Sequence, residues 1–188
     1  MTKNSISIYH LFLGGLVVFS SCKDKADTPK PNEENELITK VHLHLVAEND
    51  STKMIHAEWS DLTPDDEAGR SIDTLRLDTG TVYVGEIELS DQSKNPAVDI
   101  SEEVEEEKDD HLFIYRQDPL DSSVRFTFER TDKDSKGLPV GLKFRLTSKN
   151  LIGNTRLQVI LKHQPGIKDG SEAPGDADLD VWFPVKIR

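Results

Sequence analysis

Cysteine occurs once in the 188 residues, as Cys22. A single cysteine excludes an intramolecular disulfide, a Cys-type zinc site and an iron–sulfur cluster. Basic residues are also scarce, with 23 Lys and Arg against 35 Asp and Glu and a net charge of −12. That balance argues against nucleic acid as a partner, because phosphate binding needs clustered Lys and Arg. Aromatic residues make up only 6% of the chain, which leaves few rings for a sugar-stacking platform. No apolar run reaches the about 20 residues of a membrane-spanning helix. No G-x-S-x-G, H-E-x-x-H or Gly-rich phosphate loop is present, and no pair of carboxylates stands out. The chain is therefore expected not to be an enzyme.

What is there begins with an address. Lys3 precedes a mostly apolar stretch of 14 residues, Ile6 to Phe19, followed by Ser20, Ser21 and Cys22. The stretch is too short to span a bilayer and suits the h-region of a signal peptide. Phe19-Ser20-Ser21-Cys22 resembles a bacterial lipobox of the looser Bacteroidota kind. That resemblance implies a signal peptide over 1–21 and a lipid on the Cys22 thiol. The plainer alternative is a secretory signal cleaved near Cys22, leaving a free thiol. Residues 22–35 then form a lipidated Cys and a solvated tether. The tether holds two prolines and no large apolar side chain, a composition that cannot bury a core. Its Lys/Asp start resembles the charged tags that send Bacteroidota lipoproteins to the cell surface. The exported part carries −13, since Lys3 is the only charge lost.

Residues 36–188 read as one domain of a size that can sustain its own core. The dominant signal is period-two alternation. Val41, Leu43 and Leu45 face one way, with His42, His44 and Val46 opposite. Ile55, Ala57 and Trp59 share a face, as do Tyr83, Ile87 and Leu89. The same holds for Val124, Phe126 and Phe128, for Leu142, Phe144 and Leu146, for Leu157, Val159 and Leu161, and for Val181, Phe183, Val185 and Ile187. Clusters of Gly, Pro, Asn, Asp and Ser separate these runs. The expectation is an all-β fold, an antiparallel β-sandwich of roughly nine strands. Pro184 marks the last strand as an edge or a bulge.

One segment breaks the alternation. Ser101 to Asp110 holds seven acids and one lysine. Ser101 is an N-cap candidate, and Glu102 and Glu103 suit a helix N-terminus. The spacing predicts a short acidic helix leading into a strand at His111 to Arg116. If the helix continued, Glu107 and His111 would share a face and could hold one divalent transition metal. The same residues also suit a solvated acidic face beside a strand.

His163 is in phase with Leu157, Val159 and Leu161, so it falls at the inward end of a strand, where loops and ligands gather. Asp176, Asp178 and Asp180 follow at alternate positions and would share a face as a strand entry. They resemble the start of an EF-hand loop but lack its glycine and its closing glutamate. His42 and His44 share a face turned away from the core stripe, which suits an exposed polar surface. His56 stands by itself. Trp182 is out of phase with Val181 and Phe183 and is the ring expected to be exposed.

Four stretches in order resemble a group of small Bacteroidota lipoproteins found beside TonB-dependent outer-membrane receptors. They are Asn32 to Thr39, Glu105 to Tyr115, Leu161 to Pro165 and Asp176 to Val185. The resemblance runs over nearly all of 32–188 and is weakest from Asp61 to Asp73. It implies an outer-membrane, lipid-anchored accessory to an uptake system, with zinc as the best ligand. It also raises the joint site His111, His163, Glu107, Asp178 and Asp180 above the other histidines. The rival expectations are a ligand-free interaction module presenting its acidic face and a glycan-binding module using Trp182.

Overall fold

A computed structural model of the chain describes residues 36–63, 69–118 and 123–188. The expected signal peptide, Cys22 and the tether lie outside the described residues. No helix among the described residues is long and apolar enough to cross a membrane.

Eleven strands and one helix follow in order among the described residues. They are β1 (Lys40–Ala47), β2 (Asp50–Asp61), β3 (Arg70–Ile72), β4 (Leu75–Leu77), β5 (Val82–Asp91) and β6 (Val98–Asp99), then α1 (Ile100–Glu106). After the helix come β7 (His111–Asp118), β8 (Phe126–Arg130), β9 (Lys143–Ser148), β10 (Gly153–His163) and β11 (Asp176–Ile187). The fold is the all-β sandwich that the alternation predicts. The two strands beyond the expected nine are β3 and β6, three and two residues long and made only of exposed residues. Segments that short carry no period to detect.

The larger sheet has seven strands in the order β3-β2-β1-β5-β9-β8, with β6 paired to β5. The smaller sheet runs β4-β11-β10-β7. Every pair is antiparallel except β4 with β11. The inner faces meet in one apolar core. Val41, Leu43 and Leu45 of β1 and Tyr83, Ile87 and Leu89 of β5 lie in it with Leu157, Val159 and Leu161 of β10 and Phe183 and Val185 of β11. Strict alternation is what lets each sheet bury one face and wet the other. Tyr115, Phe128 and Phe144 close one flank, with the Tyr115 and Phe128 rings stacked at 4.5 Å. Pro184 sits one residue before β4 joins β11 at Val185. The missing N–H therefore falls where β11 pairs only with β10.

The helix is shorter than the acidic segment. Its N-cap is Asp99, not Ser101: the Asp99 carboxylate accepts from the amides of Ser101 and Glu102. Ser101 instead ties the helix to the sheet, its hydroxyl accepting from the Leu89 amide at 2.6 Å. The helix ends at Glu106, with Glu107 as C-cap and no basic residue in the last turn. Carboxylates crowded at the negative end of a helix dipole disfavour a further turn. The chain turns through 107–110 and enters β7 at His111.

Candidate metal centre

Three chain segments converge at one end of the smaller sheet. β7 begins at His111, β10 ends at His163 and β11 begins at Asp176. His111 and His163 are direct cross-strand partners. The Gln164 amide donates to the Asp110 carbonyl at 2.6 Å, so the neighbouring His111/His163 pair is of the non-hydrogen-bonded kind, which brings side chains closest. The two imidazoles stack with centroids 4.8 Å apart and planes 6° from parallel.

Asp178 joins them through a break in register. Leu161 pairs with Leu179, but Lys162 pairs with Ala177. Asp178 is the extra residue of a β-bulge, and a bulge re-aims the side chain it adds. Strict alternation would place Asp176, Asp178 and Asp180 on one face. Instead Asp176 and Asp180 are exposed, while Asp178 is half-buried against the histidines. One ligand atom from each of His111, His163 and Asp178 lies within 4.8 Å of the others.

Of the five residues the sequence singles out, these three come together. The Glu107 and Asp180 carboxylates are not in the cluster. Glu107 contributes its backbone carbonyl, 3.1 Å from His111 Nδ1. A carbonyl oxygen only accepts, so His111 carries its proton on Nδ1 and keeps the lone pair of Nε2. Asp180 accepts from the Gln158 amide at 2.8 Å on the outer face.

The electrostatics suit a cation. His111 is 1% exposed, and its Nε2 is buried without a hydrogen-bond partner. Asp178 Oδ1 is buried in the same condition. Burial lowers the pKa of His111, with His163 adding to the effect, against the Glu107 carbonyl and the charge of Asp178. A neutral imidazole is the form that binds metal. Burial raises the pKa of Asp178, against the pull of His163 and His111. Glu36, beside it, is pushed up to about 7 by burial and by the charges of Glu103, Asp178 and Glu107. The like charges repel, which disfavours the ionised form of Glu36. A bound cation would remove that strain.

Glu36 and Glu103 are the residues that the sequence reading of the site omits. Glu36 does stand inside the Asn32 to Thr39 stretch, directly before the first strand, which is the signal that could have raised it. Nothing in the spacing brings Glu103 to Glu36, since 67 positions separate them.

The surrounding loop is fixed. Gln164 is fully buried, and its side-chain amide donates to the carbonyls of Ser171 and Pro174, each at 2.9 Å. Lys168 pairs with Asp134 at 2.9 Å, both side chains fully buried, and donates to the Lys108 carbonyl at 2.7 Å. Gly175, with φ +72°, passes so near the strand end that a Cβ would stand 2.0 Å from the His163 carbonyl oxygen. Only glycine fits that return.

Elsewhere, Trp59 and Tyr83 are buried as the alternation predicts. Trp182 is half-buried, and the Arg156 guanidinium lies over its ring at 4.6 Å. No family model, curated protein or solved structure matches the chain.

Proposed function

We propose that this chain captures a divalent transition metal, zinc above others, at the end of the smaller sheet. The carrying observation is that His111 Nε2 and Asp178 Oδ1 are both buried without a hydrogen-bond partner in one cluster with His163. In folded proteins most buried polar atoms are paired, because an unpaired one costs about 1–3 kcal/mol. Two imidazoles and a carboxylate are a ligand set that zinc accepts, with a fourth position open to water or to a receiving partner. An open position and mixed N/O ligands suit reversible capture.

Closure requires a movement. Imidazole lone pairs lie in the ring plane, and planes 6° from parallel do not meet at one cation. One ring tilts as the metal enters, which breaks the stack.

The anchorage reading rests on the lipobox-like Cys22 and the four ordered stretches. It makes the chain a lipid-anchored outer-membrane protein that passes its metal to a TonB-dependent receptor. A second reading has one observation in its favour. Glu102, Glu103, Glu105 and Glu106 are exposed on α1, a surface that a basic partner could dock on without any metal.

Calorimetric titration of the metal-free protein with Zn²⁺ separates the two. Saturable heat that falls at least about 100-fold in affinity in a His111→Ala/His163→Ala variant supports capture. Heat unchanged in that variant removes it. Equal recovery of a receptor by wild type and variant favours the docking role.

A further inference from the structure

The solvent face of the larger sheet carries a second group of histidines. β1 lies between β2 and β5. His44 pairs with His56 on β2 and with Glu86 on β5. His42 pairs with Glu58 on β2 and with Glu88 on β5. The three strands thus set three imidazoles and three carboxylates on one rigid lattice. One ligand atom from each of His42, His44 and His56 lies within 4.8 Å of the others. The ring centroids stand 3.9 Å apart for His42 and His44, 4.8 Å for His44 and His56, and 5.6 Å for His42 and His56.

The hydrogen bonds assign the protons. His44 Nε2 is 3.1 Å from Glu88 Oε2. A carboxylate accepts, so His44 carries its proton on Nε2 and presents a lone pair at Nδ1. His56 Nδ1 lies 2.9 Å from that atom and must donate to it. Two nitrogens are therefore aimed at one point, with a proton between them. In a tetrahedral site with zinc–nitrogen bonds of about 2.05 Å, two nitrogens stand roughly 3.3 Å apart. The pair needs to open by only about 0.4 Å to admit a metal in place of that proton. Glu88 already orients His44 as a carboxylate behind a metal-bound imidazole does. It is also 3.9 Å from His42 Nδ1.

We propose that His42, His44 and His56 form a second, exposed site for a divalent transition metal, backed by Glu88. The His56 proton moves from Nδ1 to Nε2 through solvent as the metal enters, so the charge on that ring does not change. Three imidazoles leave the fourth position to water, and the open face makes this the faster-exchanging of the two sites. The assignment does not depend on the buried site.

Titration of the full chain with Zn²⁺ tests it by stoichiometry. Wild type is expected to bind one zinc more than a His44→Ala/His56→Ala variant. Glu88→Gln, which keeps the shape of the side chain, is expected to weaken the same equivalent about 10–100-fold. A His111→Ala/His163→Ala variant that retains one equivalent sustains this proposal even though it has lost the buried site. Identical stoichiometry for wild type and the His44→Ala/His56→Ala variant overturns it, as does unchanged affinity in Glu88→Gln.

Discussion

Among the described residues the domain holds two histidine clusters whose surroundings differ in almost every respect. One is buried at the end of the smaller sheet, where a bulge adds Asp178. The other lies open on the larger sheet, where simple cross-strand pairing collects His42, His44 and His56. The buried cluster has polar atoms that no protein group satisfies. In the open cluster, His44 and His56 satisfy each other and Glu88 satisfies His44. Desolvation makes the buried cluster costly without a cation, so a metal gains more there. Ligand type alone is therefore a poor guide to affinity, and the state of the ligand atoms before binding decides more.

The largest expected effect comes from removing the buried ligands. His111→Ala/His163→Ala should lower zinc affinity at that site at least about 100-fold and leave the open triad's equivalent intact. Zinc titration reads both at once. Next is Gly175→Ala, where a Cβ meets the His163 carbonyl and φ is +72°. We expect about 3 kcal/mol of lost stability, or roughly 6–12 °C in Tm by calorimetry. The weakened zinc equivalent should be the buried one, since the open triad lies on the other sheet. Asp178→Asn should cost about 10–100-fold in zinc affinity while keeping the fold, because the amide retains shape but not charge. Both sites losing equally would erase the contrast.

The smallest effect is one of pH. Glu36 titrates at about 7 in the fold against 4.5 for a free glutamate. Between those values the folded chain binds more protons than the unfolded chain, so stability falls as pH rises through the window. Glu36→Gln should remove the loss, raising Tm at pH 8 by about 2–4 °C for roughly 1 kcal/mol, after allowing for the solvent Glu36 still meets. At pH 4 the two proteins should melt together. His111 runs the other way. Its folded pKa is lowered, so its share of stability is present above the unfolded value and declines as pH falls below about 6.5.

The sandwich was legible because alternation is a local property. Val41, Leu43 and Leu45 announce which face of β1 is buried without knowledge of any partner strand. The inward phase of His163 follows from Leu157, Val159 and Leu161 in the same way. What alternation does not contain is register. His56 lies opposite His44 only because of the short connection between β1 and β2, whose pairing shifts between Val46 and Ala47. Asp178 turns inward only through the bulge, which no spacing of aspartates signals. The reach of the helix depended on charge at its C-terminus, so Glu107 supplies a carbonyl where the sequence suggested a carboxylate.

The account stands on zinc entering between His111 and Asp178. Diffraction from crystals grown with zinc, measured at the zinc absorption edge, tests this most directly. The account predicts an anomalous peak about 2.0–2.2 Å from His111 Nε2 and from an Asp178 carboxylate oxygen, with the two imidazoles no longer parallel. A zinc-grown crystal with no peak there, and with the His111 and His163 rings still stacked, would contradict it.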